Sequence, residues 1–248
     1  MKYEDTIIVI PARFGSTRLP GKALADINGK PMVVRVMDIA KAAGLCEVLV
    51  ATEAQQIVDV VSAAGGEAIL TDDNLQSGTD RVHQALWKYQ ARTGKDYKYV
   101  INLQGDMPNV DPHVIISVIE LLHANPDVQI ATAIAEIVDQ SWRELPQVVK
   151  AVIAYNDNQN CHRALYFSRS NVPHGEGKAY AHLGIYGYKK EALEKFVSLP
   201  VSKLEKSEKL EQLRALENGM KIYCALVEKF PISVDVQSDL DKARKEIK

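Results

Sequence analysis

The residues best suited to chemistry come early. Ala12-Arg13-Phe14-Gly15-Ser16-Thr17-Arg18-Leu19-Pro20-Gly21-Lys22 gathers two arginines, a lysine, two glycines and two hydroxyls, directly after the apolar run Ile7-Ile8-Val9-Ile10. Backbone N–H groups with three fixed positive charges suit a polyphosphate. A solvated turn is the competing reading, since loops are polar anyway. The density of glycine, proline and cation favours the anion site. Neither G-x-x-x-x-G-K-[ST] nor G-x-G-x-x-G follows the run, so this is not a P-loop or a dinucleotide fingerprint.

Three further stretches belong with that loop. In Gln76-Ser77-Gly78-Thr79-Asp80-Arg81, Ser77 or Thr79 taken alone reads as a helix N-cap. Beside a phosphate-binding loop, the Gly78 backbone and a hydroxyl also suit a nucleobase. Gln104-Gly105-Asp106-Met107-Pro108 sets an aspartate at the carboxyl end of an apolar strand, where a hard cation on a triphosphate takes an oxygen ligand. A plain turn aspartate is the alternative there. His182-Leu183-Gly184-Ile185-Tyr186-Gly187-Tyr188 is strand-like with two glycines, which weaken a strand unless a backbone or ligand comes close. His182 by itself reads first as a hydrogen-bonded structural histidine.

The elements that must position these residues alternate. Ile7–Ile10 lacks polar alternation and reads as a central parallel strand. Asn28-Gly29 predicts a tight turn, and Pro31 the first position of a helix ending near Ala43. Strand 47–52, helix 54–64, strand 67–70, a helix through Val82, Leu86 and Tyr89, strand 99–103 and a helix from Asp111-Pro112 follow. This β-loop-α-β-α-β order predicts a parallel sheet with helices on its faces, whose loops share one edge. Strand 128–134 precedes a break in the alternation, with strands at 148–155 and 164–167 around a polar turn at 156–160. The stretch 205–218 predicts one helix ended by Asn218-Gly219, with Glu208, Glu211 and Gln212 on a solvent-directed face. Strand 221–226, an extended segment 232–236 and a final helix complete the reading.

The chain of 248 residues, with 46% hydrophobic and 25% charged residues, is that of an ordinary globular protein. A formal charge of −2 argues against a nucleic-acid binder. Cys46, Cys161 and Cys224 are odd in number and far apart, reading as isolated reduced thiols rather than zinc ligands. No signal segment or membrane span is legible, so the expectation is a cytoplasmic protein without membrane insertion.

The motifs IPARFGSTRLPGK, GGEAILTDDNLQSGTDR, INLQGDMP, LYFSRSNVP, HLGIYGY, LEKSEKLEQLRALENG and ISVDVQSDL cover nearly the whole chain. In this order they resemble the cytidylyltransferases that activate acidic sugars. HLGIYGY followed by LEQLR is closest to the 3-deoxy-manno-octulosonate (Kdo) branch rather than the sialic acid branch. Two places depart from the family's pattern: QGDEP reads QGDMP, and V-D-T-P-E-D-L reads VDVQSDL.

The resemblance implies an α/β fold of the nucleotide-diphospho-sugar transferase type, with a mostly parallel central sheet flanked by helices. It implies one nucleotidyltransferase domain over 1–248, in which an irregular α+β insertion at about 140–190 serves the sugar pocket and homodimer contacts. Ala12, Arg13 and Lys22 would bind the CTP phosphates, and Gln76, Ser77 and Gly78 would face cytosine and ribose. Asp106 and Asp235 would share Mg2+. Arg18, Gln104, Arg169, His182, Tyr186, Glu211 and Gln212 would line the Kdo site, with Arg169 as the planar partner of the sugar carboxylate. The implied reaction is CMP transfer from CTP to the anomeric hydroxyl of Kdo, releasing pyrophosphate, for lipopolysaccharide biosynthesis. The metal would polarise the α-phosphate and lower the pKa of the attacking hydroxyl. Arg13 and Lys22 would stabilise the leaving pyrophosphate. The alternatives are transfer to 8-amino-Kdo or sialic acid, and a non-catalytic nucleotide sensor.

Overall fold

Every residue of β1 (Thr6–Pro11) is buried, as expected of an apolar run with no face to give to solvent. The computed structural model containing it describes residues 2–16, 18–156 and 160–247. The chain forms two compact units, Met1–Ile115 with Pro231–Lys248, and Ile116–Phe230. The second unit takes in more than the insertion expected at 140–190.

In the first unit β1 is flanked by β4 (Glu47–Thr52) and β6 (Tyr99–Asn102), and β5 (Glu67–Leu70) lies beyond β4. The pairings among these strands are parallel. A two-residue hairpin joins β2 (Asp26–Ile27) to β3 (Lys30–Pro31). Asn28 and Gly29 both take positive φ, 50° and 82°, as a primed turn requires. Pro31 stands one residue ahead of the helix expected to begin with it. It pairs with Asp26, and this keeps it extended, so α1 (Met32–Ala42) starts at Met32. The helices α2 (Gln55–Ala63) and α3 (Gly78–Thr93) supply the crossovers, and α4 (Pro112–Ala124) carries the boundary between the units. Near the C-terminus, the segment 232–236 is not a strand. It is pinned where Ile232 N–H donates to Asn109 Oδ1 (2.8 Å) and Val234 N–H to Asp106 O (2.9 Å). Val234, with Leu240 and Ala243 of α8 (Gln237–Glu246), is buried against Ile27 and Met32.

The second unit mixes strand directions. Its order is β10 (Tyr180–Lys189), β7 (Ile130–Glu136), β11 (Ile222–Val227), β9 (His162–Ser168) and β8 (Lys150–Ala154). A further β8–β10 pairing brings the circuit back to its start. Only β7–β11 is parallel among these pairings, the others being antiparallel. The mostly parallel central sheet that was expected therefore describes β5, β4, β1 and β6 and not the strands of the second unit. The helix α5 (Lys190–Ser198) follows β10 directly. Of the polar turn expected at 156–160, residues 157–159 lie outside those described.

The single helix expected over 205–218 is two helices, α6 (Lys203–Glu208) and α7 (Gln212–Glu217). Lys209 breaks them in a left-handed conformation, φ 54° and ψ 47°. The break turns the Glu208 carboxylate onto Ser168 Oγ (2.7 Å) and Arg169 N–H (3.0 Å). It also lets Arg214 grip Glu205 through two hydrogen bonds, of 2.8 and 2.6 Å. Glu208 and the buried Gln212 are thus not given to solvent as the helical period predicts. A left-handed backbone costs a side-chain-bearing residue about 1 kcal/mol. Lys209→Gly should therefore stabilise the protein by about 1 kcal/mol, read as a higher urea midpoint at unchanged slope.

Candidate functional site

The glycine-rich loop leaves β1 at its carboxyl end and is tied down at several points. Ala12 N–H donates to Ala51 O (2.9 Å), so that donor is committed to the sheet and not available to a phosphate. Phe14 N–H donates to Glu53 Oε1 (2.8 Å), at the carboxyl end of β4. The other Glu53 oxygen lies 3.2 Å from Arg81 Nη1, on a fully buried guanidinium that also donates to the Thr71 hydroxyl. Burial lowers the Arg81 pKa, and the Glu53 charge works against that shift. Arg13 is exposed and donates through Nη2 to Leu75 O, linking the loop to the stretch that begins α3. Gly21 closes the loop at φ 67°, where a residue with a side chain would be strained.

Lys22 stands at the end of the loop with its ammonium between two carboxylates. Nζ lies 3.0 Å from Asp106 Oδ2 and 3.3 Å from Asp235 Oδ1. Arg18 Nη2 is 3.0 Å from the same Asp235 oxygen. The two aspartates expected to meet are therefore on one cation. Their convergence rests on the Val234–Asp106 backbone bond and on Asp239, whose Oδ2 accepts from Asp235 N–H (3.0 Å) and Val236 N–H (3.1 Å). Gly105 comes so near β1 that a Cβ there would lie 3.0 Å from Pro11 O. Met107, where the family pattern has a carboxylate, is buried.

A dication fits this donor set. The carboxylates already share a positive group, and two is the number magnesium commonly takes from protein when phosphate and water complete its octahedron. Among the described residues, no three His, Cys, Asp or Glu side chains come together to hold a metal ion.

Close by, Ser77 caps α3. Its Oγ accepts from Asp80 N–H (3.1 Å), while the Asp80 carboxylate accepts from Ser77 N–H (3.0 Å). The capping reading of Ser77 is thus realised. Gly78 faces Pro11 and Gln104, and a Cβ added to it would meet ordinary contacts at 3.6–3.8 Å. Gln76 is exposed. The Gln104 amide donates to Asn102 Oδ1 (2.9 Å).

The other expected residues lie in the second unit. His182 is buried on β10, with Phe167 at 4.9 Å and Tyr186 at 5.4 Å between ring centres. Its Nε2 is 2.9 Å from Thr132 Oγ1. Burial, with the nearby Tyr188, Glu211 and Cys224, raises the Tyr186 phenol well above its usual range. Gln212 is buried and Glu211 half-buried at the start of α7.

Arg169 differs from expectation. Its Nε, Nη1 and Nη2 donate to Glu208 O (2.9 Å), Pro146 O (3.0 Å) and Lys209 O (3.3 Å). The fork anticipated for a carboxylate is engaged with main-chain carbonyls because the 208–209 break turns them toward it. Fully buried Lys150 braces the same loop, donating to Leu145 O, Val148 O and Arg169 O at 2.6–3.0 Å.

Sequence reasoning passed over Glu53, Thr132 and Lys150. Each carried a signal: an acid at a strand's carboxyl end on the ligand edge, a lone hydroxyl in the buried run IATAIAE, and a cation inside VVKAVIAY.

A family model described as cytidylyltransferase matches residues 7–222. A 3-deoxy-manno-octulosonate cytidylyltransferase of Rhodospirillum rubrum is 51% identical over 96% of this chain and 94% of its own. The protein of that name from Paramagnetospirillum magneticum is 49% identical over 96% of each. Among solved structures, a CMP:2-keto-3-deoxy-manno-octonic acid synthetase complexed with CTP superposes with a TM-score of 0.87 at 37% identity, covering 98% of both chains. A Leptospira borgpetersenii cytidylyltransferase, 17% identical with a TM-score of 0.63, shares the fold.

Burial pushes the His182 imidazole down from 6.5 to about 3. Between those values the unfolded chain binds a proton there that the folded chain refuses, so stability rises with pH through the window and is complete above its upper end. His182 should account for about 2 kcal/mol of stability lost between about pH 7 and pH 5. Urea unfolding at both pH values should show that loss in the native protein and a correspondingly smaller one in His182→Gln.

Proposed function

The chain belongs to the 3-deoxy-manno-octulosonate cytidylyltransferase family, and from that membership and its site we propose that it transfers CMP from CTP to Kdo, giving CMP-Kdo and pyrophosphate. The observation that carries the reading is the convergence of Asp106 and Asp235 on Lys22 at the end of the Arg13-bearing loop. The chemistry follows from charge. The anomeric hydroxyl oxygen of the sugar acid bonds to the α-phosphorus of CTP. The bond to the bridging oxygen breaks in line, pyrophosphate departs with that electron pair, and the hydroxyl proton passes to solvent. Everything that reacts is anionic, so positive charge fixed beforehand does most of the work.

Arg13, held by Leu75 O, would carry such charge to the phosphates. Asp106 and Asp235 would hold a divalent cation, magnesium in this reading, which when bound neutralises phosphoryl oxygens and favours ionisation of the attacking hydroxyl. With the carboxylates so engaged, the Lys22 ammonium is left to the phosphates. Gly78 and the Ser77 cap would abut the nucleoside. His182, Tyr186, Glu211 and Gln212 would receive the sugar acid. Arg169 would offer its carboxylate the second hydrogen that each terminal nitrogen keeps beyond its carbonyl bond. A homodimer would cover Val138, Tyr155 and Leu165, each more than half exposed on the second unit. The product would serve lipopolysaccharide assembly.

Pyrophosphate release with magnesium should be strong for CTP and weak for UTP and ATP. It should favour Kdo over 8-amino-Kdo and sialic acid. No release with any sugar acid would sink the reading. Asp106→Asn and Asp235→Asn should each lower kcat by roughly a hundredfold or more while CTP binding weakens far less. Gly78→Ala, which the fold has room for, should raise the KM for CTP by about tenfold with little change in Tm.

A further inference from the structure

The β7–β10 pairing contains a bulge whose contents decide the protonation of a ring nitrogen. Leu183 lies opposite Ala133 and Tyr186 opposite Thr132, so Gly184 and Ile185 are extra residues on β10. The Thr132 hydroxyl fills the gap, with Oγ1 2.7 Å from Ile185 O, 3.2 Å from Leu183 O and 2.9 Å from His182 Nε2. All of these groups are in the second unit, and Thr132 is fully buried.

One proton is available to that hydroxyl and three neighbours surround it. Two of them are carbonyl oxygens, which only accept. If the hydroxyl donated to the imidazole, it would make a single bond and leave both carbonyls without its hydrogen. If it donates to a carbonyl, its lone pairs remain for a proton brought by the ring, and two bonds form. Leaving buried polar groups unpaired is costly, so the second arrangement wins. The imidazole then carries its hydrogen on Nε2, and Nδ1 is a bare acceptor. Nor is a doubly protonated ring suited to the place, since burial holds His182 neutral.

We propose that Thr132 is a positioning residue that fixes His182 as the Nε2–H tautomer, so that Nδ1 accepts a hydrogen bond from a hydroxyl of the sugar acid and does not meet its carboxylate. The assignment of a sugar to His182 rests on the function proposed above, whereas the tautomer does not.

Two readouts keep those claims apart. In the full chain labelled with 15N-histidine, long-range proton–nitrogen correlation should show the His182 ring, identified by its absence in His182→Gln, with Nε2 protonated and Nδ1 bare. Thr132→Ser should keep that pattern, and Thr132→Val should lose it. In the pyrophosphate assay Thr132→Val should raise the KM for the sugar acid about tenfold with the KM for CTP within about twofold, and Thr132→Ser should restore it. A general structural defect would lower kcat for want of folded enzyme and leave that selective KM shift unseen. A native spectrum with Nδ1 protonated overturns the proposal, as does a Thr132→Val protein with unaltered tautomer or unaltered sugar KM. Should Thr132→Val fail to fold, the native and Thr132→Ser spectra still decide for or against the tautomer. Native protein that shows the expected tautomer but turns over no sugar acid overturns the sugar assignment and the function proposed above, and leaves the Thr132–His182 tautomer standing.

Discussion

One ammonium group holds together what the sequence keeps far apart. Lys22 lies between Asp106 and Asp235, and the three residues come from the loop after β1, the turn after β6 and the returning C-terminal segment. Two carboxylates brought this close without a cation would repel each other and lose their water. Their approach is therefore conditional on positive charge, and the protein supplies it internally. In the proposed reaction the same arrangement would suit the exchange of one cation for another. The carboxylates are partly exposed, at 24% and 38%.

The second unit solves a different problem with buried polar groups. Its strands return on themselves through β8–β10, and such a circuit has few free edges through which to adjust. Irregularities are instead answered from within. Thr132 fills the β10 bulge, Lys150 collects three carbonyls, and Arg169 collects three more. Buried Lys150 and half-buried Arg169 are tolerable here because each directs hydrogens onto oxygens that would otherwise go short.

The parts of this structure that sequence made legible are those governed by local rules. Apolar runs without alternation became the buried strands β1, β4 and β6, and Asn28-Gly29 became the hairpin turn. The conjunction of Asp106 with Asp235 was legible only through family likeness, because no local rule says where a chain returns. Period alone misled at 205–218. A stretch of fourteen residues, twelve of them good helix formers, hides the left-handed turn at Lys209, which is set by what Glu208 and Arg214 can reach once folded. Arg169 shows the same limit from the other side. Its type promised a carboxylate partner, yet the nearest acceptors in the fold are carbonyls. Thr132 stood out only as a lone hydroxyl in an apolar run, and its place opposite the bulge could not be read before its partner strand was known.

The discontinuity of the first unit has a consequence for biosynthesis. Residues 231–248 belong with 1–115, and they bring both the second carboxylate and the side chains that cover Ile27 and Met32. A chain emerging from the ribosome can pair its early parallel strands, but it carries Lys22 without Asp235 and an uncovered apolar patch until residues 231–248 are made. This unit is therefore completed only once residues 231–248 have been made, and the time before that is when the nascent chain most needs shielding from its neighbours.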